Sequence, residues 1–449
     1  MKRLGTIFGS ALLLVSLICL SQMRVRAEGG ITFDPNNYKQ MADADSSATI
    51  PPGTKITLAN WQHYKQFMTV ALQAAFSGNY TYHVTDEPMY TMVVAPTTHV
   101  GAPRQFIADG EKYGSQVKLV PAKTGGQTID GWVAGPPFPN PNEPNIGEKI
   151  LFDSWAPWRP YLYHYMTYGI NSIDRFGNRS EGSTDALFMN LSHLSEPDMP
   201  KDMPFANGMF YTARFEVLVP EQSKYTTELQ QQPVDPMRYP ETYVFLPSLR
   251  RSLRLSSAAK CAPINGTDWV QDDNAWNPPM FTVTYFGRKK LLMNLQDLGI
   301  GSEGKSYVGT TYDQPTGAFP GWPRPGTGHW ELRDTYVIDA KWIPTLGAYC
   351  FSHRVFYLDR EAYFVMTSEE FDNEAKLWKS AWLRVTPMDV HGQPVLFIYG
   401  TPETQLVDWE NGHMTVGLTH EFTFYGNVPP QYRDVSSVSQ PSSLAKIMQ

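Results

Sequence analysis

The chain has 449 residues and a formal net charge of −7. An acidic balance repels phosphate backbones, which argues against a nucleic-acid partner. Aromatic residues at 13%, with 34 Gly and 36 Pro, favour strands and turns, and large β architectures of this length run as one unit.

Lys2 and Arg3 precede an apolar run from Ile7 to Leu20, and Val25-Arg26-Ala27 closes it with small residues. This is the layout of a secretory signal peptide over residues 1–27. The run is too short for a membrane anchor, which needs about 20 apolar residues. Ile18 before Cys19 is not the small residue that lipidation wants. A soluble, exported chain is expected, more acidic once Lys2, Arg3, Arg24 and Arg26 are gone.

After Asn60, a favoured N-cap residue, Trp61, Tyr64, Phe67, Met68, Ala71, Leu72, Ala75 and Phe76 fall on one stripe, and Gly78 ends it. One helix is expected, either packed on a sheet or lying as a lid over an apolar cavity. Gly135-Pro136-Pro137-Phe138-Pro139-Asn140-Pro141 and the Pro-rich residues 315–328 read as loops or edge cover, because proline this dense cannot sit in a central strand. Between them, Tyr211, Ala213, Phe215, Val217 and Val219 alternate with polar residues until Pro220, and Val283 and Tyr285 alternate with threonines. Val355 and Tyr357 lead through Asp359-Arg360-Glu361 into Tyr363 and Val365, a hairpin pattern. A second hairpin runs from Val407 to Leu418, with Asn411-Gly412 suited to a type I′ turn. Consecutive hairpins imply an antiparallel meander or barrel. One domain over residues 28–429 is expected, followed by a flexible polar tail, residues 430–449.

Several motifs lack the context their chemistry needs. Gly299 to Ser306 matches a phosphate-binding loop in letters, yet no helical stripe follows it. Ser257 to Lys260 follows Lys123-Thr124-Gly125, and Ser115 to Lys118 begins only eight residues before it, so neither suits a penicillin-recognising enzyme. The histidines form no metal-ligand spacing, so no metal, cofactor or catalytic residue is assigned. His413 and His420 read as structural. Adjacent Asp272 and Asp273 would fall on opposite faces of a strand. In an oxidising compartment Cys261 and Cys350 suggest one disulfide, whereas two thiols far apart in space would do nothing.

The most distinctive stretch is Tyr243-Val244-Phe245-Leu246-Pro247-Ser248-Leu249-Arg250-Arg251-Ser252-Leu253-Arg254, followed by Gly266-Thr267-Asp268-Trp269 and Asp272-Asp273. It resembles the pattern of bacterial outer-membrane lipoprotein-sorting proteins of the LolA/LolB fold. Residues 60–68, 135–141 and 354–359 resemble one branch, domain of unknown function 1329, and the likeness covers most of residues 50–420. The resemblance implies a mainly β fold: a large curved antiparallel sheet, an incomplete barrel, with a few covering helices and an apolar concave face that holds acyl chains. It also implies lipid traffic in the periplasm beside RND-type exporters and outer-membrane proteins. The chain is over twice the size of the small lipoprotein carriers.

A sixteen-carbon chain carries about 12 kcal/mol of aversion to water, at about 0.8 kcal/mol per CH₂, so a travelling lipid needs an apolar container. Arg250, Arg251 and Arg254 could meet anionic head groups near Trp269, or pair with Asp268, Asp272 and Asp273 as a ladder of salt bridges. Three functions follow: a lipid or lipoprotein carrier, a module docking on an exporter or outer-membrane partner with a packed interior, and a lipid hydrolase. Only scattered Ser, His and Asp residues motivate the last.

Overall fold

The computed structural model describes residues 30–77, 90–255, 260–264, 266–274, 276–295, 325–326, 328–398, 403–425, 428, 430, 433 and 440–448. The expected signal peptide and the phosphate-loop letters lie outside them, as do Ser257 and most of the Pro-rich residues 315–328.

Two antiparallel meanders make the body. The first comprises β1 (Leu162–Asp174), β2 (Arg179–Asn190), β3 (Met209–Val219), β4 (Thr227–Pro233), β5 (Glu241–Leu246) and β6 (Arg251–Arg254). The second comprises β7 (Phe281–Leu295), β8 (His329–Trp342), β9 (His353–Asp359), β10 (Val365–Phe371), β11 (Leu377–Arg384), β12 (Glu403–Asp408) and β13 (His413–Phe424). The last strand pairs with the first, from His413↔Asp174 to Phe424↔Tyr163. One thirteen-stranded sheet results, in the order β6-β5-β4-β3-β2-β1-β13-β12-β11-β10-β9-β8-β7. Its edges, β6 and β7, do not pair, so the barrel stays open, as the expected fold class has it.

Side chains alternate across the sheet with period two. Val355, Tyr357, Met366, Trp382, Val407 and Val416 point to the outer face and pack beneath the N-terminal segment, against Tyr38, Phe67, Met68, Val70 and Leu72. Phe356, Ser368, Ala381, Leu406 and Gly417 point the other way, into a cavity. That inner face must be concave. Val244 of β5 and Phe356 of β9 line the same cavity, although nine strand spacings would set them about 40 Å apart on a flat sheet.

Short helices cover the sheet: α1 (Pro35–Lys39), α2 (Val70–Phe76), α3 (Arg104–Tyr113), α4 (Ile146–Trp155) and α5 (Gln271–Asn274). The expected single helix after Asn60 is two pieces, a 3₁₀ segment Trp61–Phe67 and α2. Thr69 breaks it, its hydroxyl capping α2 by accepting from Leu72 N–H at 3.2 Å. Asn60 does not cap; its side chain accepts from Thr57 N–H at 2.7 Å. The start of α2 is tied to the sheet by Glu369, fully buried, whose carboxylate accepts from Ala71 N–H (2.6 Å), Tyr357 OH (2.9 Å) and Tyr38 OH (3.1 Å). Burial pushes Glu369 up to about 7 against those three donors.

Two further expectations change, the β12–β13 turn and the tail. The hairpin β12–β13 has a four-residue loop, since Asp408 pairs with His413. The Asp408 carboxylate accepts from Asn411 N–H (2.8 Å) and Asn411 Nδ2 (2.9 Å), and this cap replaces the type I′ turn. The Pro-rich residues 135–141 form the expected loop, buried from Gly135 to Phe138 against α4, where Phe138 N–H donates to Asp153 Oδ1 at 2.7 Å. The tail ends in a docked 3₁₀ segment, Pro441–Met448, because Leu444 finds an apolar seat on Leu229 and Phe245. Among the described residues no helix is long and apolar enough to cross a membrane.

Candidate functional site

The chain leaves the sheet at one edge, β6, and re-enters at the other, β7. The connection between them, described at residues 260–264, 266–274 and 276–280, therefore crosses the concave face. Sheet and crossing segment enclose a cavity of about 670 Å³. Its walls are largely apolar, with Tyr165, Phe215, Val217, Phe356, Leu406 and Trp276 among them. Ser154 and Trp155, at the end of α4, join the wall.

The crossing segment is pinned at four points. Cys261 and Cys350 are joined by a disulfide with Cα atoms 5.9 Å apart, tying the segment to the β8–β9 connection. Arg354 of β9, almost fully buried, holds Asp273 at 2.9 Å and Asp272 at 3.4 Å, with Glu370 of β10 at 3.5 Å. Tyr349 OH donates to Asp272 as well. Asp268 reaches β13, where its Oδ2 accepts from Thr415 Oγ1 at 2.7 Å and lies 2.7 Å from His413 Nδ1. Lys379 Nζ donates to the Asp268 carbonyl at 2.9 Å. The Trp269 ring lies against Gly417 so closely that a Cβ there would sit 2.9 Å from it.

Ionisable groups in this wall are displaced from their ordinary values. Burial raises Asp272 and pushes Glu370 up to about 7, with Arg354 pulling both back. The hydrogen bond to the Asp268 carboxylate holds His413 above its usual range. Lys260 stands 3.8 Å from the Tyr239 ring and 4.2 Å from Trp342, and burial lowers it to about 8. On β4, Glu228, Gln230 and Gln232 form a polar row in the same wall, and burial pushes Glu228 up to about 7.

Asp268, Trp269 and Asp272 thus come together at the cavity. Arg250, Arg251 and Arg254 do not join them. Arg250 occupies the β5–β6 turn in the left-handed conformation, and Arg254 pairs with Glu241 at 3.1 Å. The expected ladder is replaced by Arg354, because Asp272 and Asp273 sit on one turn of α5, which aims both at a single guanidinium, rather than on a strand. Trp61, Tyr64, Phe67, Met68 and Leu72 pack in the outer-face cluster and do not line this cavity. The polar row of β4 is not among the residues expected from the sequence, where its only signal is Glu228, Gln230 and Gln232 at alternate positions.

The pattern of a family described as "Protein of unknown function (DUF1329)" matches residues 55–429. Among solved structures, the chain is similar to a putative outer membrane lipoprotein-sorting protein domain from Vibrio parahaemolyticus, at 12% identity over 65% of this chain and 97% of that one (TM-score 0.44). It is similar to a DUF1329 family protein from Desulfovibrio piger ATCC 29098, at 10% identity over 66% and 98% (TM-score 0.44). A LolA superfamily protein from Nitrosomonas europaea aligns at 10% identity over 64% and 96% (TM-score 0.37). No curated protein matches the sequence.

Proposed function

The chain belongs to the DUF1329 family, and from that premise we propose that it is an exported carrier whose cavity holds the acyl part of a lipid or lipidated molecule, without covalent chemistry. The unfilled interior carries this reading. A volume of about 670 Å³ falls within the range of about 300–1,000 Å³ typical of small-molecule sites. Aromatic and aliphatic walls offset the aversion of a hydrocarbon tail to water. The β4 row of Glu228, Gln230 and Gln232 offers polar contacts to a head group. The signal-peptide layout of residues 1–27 and the motif resemblance support work in the periplasm, in the service of an export system with RND-type and outer-membrane partners. The rival reading, a docking module with a packed interior, is disfavoured by the open interior.

Ala381 points into the cavity, so Ala381→Trp fills it from the wall. Organic extract of the purified protein is expected to contain a lipid by mass spectrometry. The protein should take up a fluorescent fatty acid, and Ala381→Trp should cut that uptake at least tenfold with little change in Tm. A clean extract together with no uptake by the unmodified chain overturns the proposal.

A further inference from the structure

In an antiparallel meander, alternate turns lie along the same rim. The β1–β2, β3–β4 and β5–β6 turns therefore line up, about 10 Å from one to the next. Each presents an apolar side chain to solvent: Phe176 is 73% exposed, Val219 45%, Tyr225 41% and Leu249 53%. Four of the seven exposed large apolar side chains among the described residues stand on this one rim; Leu58 and Val93 lie on the N-terminal cover, and Leu255 follows β6 at its far end.

Cations accompany them. Arg175 and Arg179 flank Phe176, Lys224 precedes Tyr225, and Arg250 and Arg251 follow Leu249. The carboxylates of the same three turns are Asp174, Glu181 and Glu221. Asp174 accepts from Phe176 N–H and Asn178 N–H within its own turn, and Glu221 pairs with Lys224 at 3.3 Å. These three turns are thus net basic on a chain whose formal charge is −7, while the next turn along the same rim, β12–β13, adds Glu410. The cavity wall runs up to the rim: Val217 lies two residues from Val219, Thr226 follows Tyr225, and Val244 is on the strand that leads to Leu249.

We propose that this rim docks on a bilayer surface carrying anionic lipid. Single apolar side chains at separate turn tips, each beside a cation, suit a soft layer in which tips enter the head-group zone while guanidinium groups stay at the charged surface. A protein partner would call for a continuous apolar patch, and charge complementarity selects anionic over neutral lipid. Docked this way, the cavity opens toward the membrane along β3 to β5. The inference stands apart from the cavity's contents, because vesicle binding reads the rim and lipid uptake reads the interior.

The test is co-sedimentation of the full chain with vesicles of phosphatidylcholine alone or of equal parts phosphatidylcholine and phosphatidylglycerol. The chain is expected to pellet with the mixed vesicles and to bind neutral ones at least tenfold more weakly. Arg250→Glu with Arg251→Glu should lower binding to mixed vesicles on the order of twenty-fold or more, taking about fivefold per cation. Phe176→Ser with Leu249→Ser should weaken binding to both, and Leu58→Ser should leave it unchanged. Failure of the wild-type chain to pellet with mixed vesicles overturns the proposal, as do rim variants that bind like wild type. Recovery of a protein on these tips without any vesicle binding overturns it too.

Discussion

Replacing Arg354 with methionine keeps an apolar stem and removes the charge that holds the crossing segment to β9. Arg354 is 2% exposed, and Asp272 and Glu370 beside it are 4% exposed each. Without the guanidinium these two carboxylates are left buried, each having lost its counter-charge at 3.4–3.5 Å. Breaking a buried pair from one side costs about 3–5 kcal/mol. At about 2–4 °C per kcal/mol for a large domain, Tm should fall by about 10 °C. The loss should depend on pH. Arg354 now pulls Asp272 and Glu370 down, so its removal lifts their folded pKa values further above the unfolded ones. An acid with a raised folded pKa costs stability in full above that pKa, and the cost shrinks as pH falls toward the unfolded value. The deficit of the variant should therefore be greatest near pH 8 and shrink toward pH 5. Denaturant unfolding of both chains at several pH values measures this. A loss below about 1 kcal/mol at pH 8, or one that does not change with pH, would refute the reasoning.

Glu369 supports a second pH experiment. Its folded value of about 7 stands above the ordinary 4.5, so the folded state binds the extra proton between these values. Its contribution to stability should fall by about 3 kcal/mol as pH rises from 4.5 through 7. Glu369→Gln should lose that slope in urea titrations, and an unchanged slope would count against the assignment. At Gly417, alanine places a Cβ 2.9 Å from the Trp269 ring, so the indole must shift. A loss of about 1–3 kcal/mol and altered fatty-acid uptake are expected, and wild-type values for both would show that Trp269 is not seated there.

The sequence announced local pairing more readily than closure. The hairpins β9–β10 and β12–β13 were legible because alternation and turn residues lie within about twenty positions. The pairing of β1 with β13 joins Asp174 to His413, and no short-range pattern encodes it. Helix α4 escaped notice because it is buried nearly all round, from Gly147 to Trp155, leaving no polar face to set a period. Asp268, Trp269 and Asp272 drew attention as motif letters, but their partners Thr415, Gly417 and Arg354 come from strands 80 or more residues away in sequence. The cavity was expected from a resemblance alone. Composition cannot separate a lined hollow from a filled one, since both use the same aromatic residues.

A chain that departs from one outer strand and arrives at the opposite one behaves as a string across a bow. The curl of the sheet and the span of residues 255–280 then fix each other: the limbs cannot spread unless the string lengthens or slips its pins. Capacity should accordingly respond to the length of that one stretch more than to any residue in the limbs. Adding a few small residues there would admit bulkier guests, and shortening it would draw the limbs together.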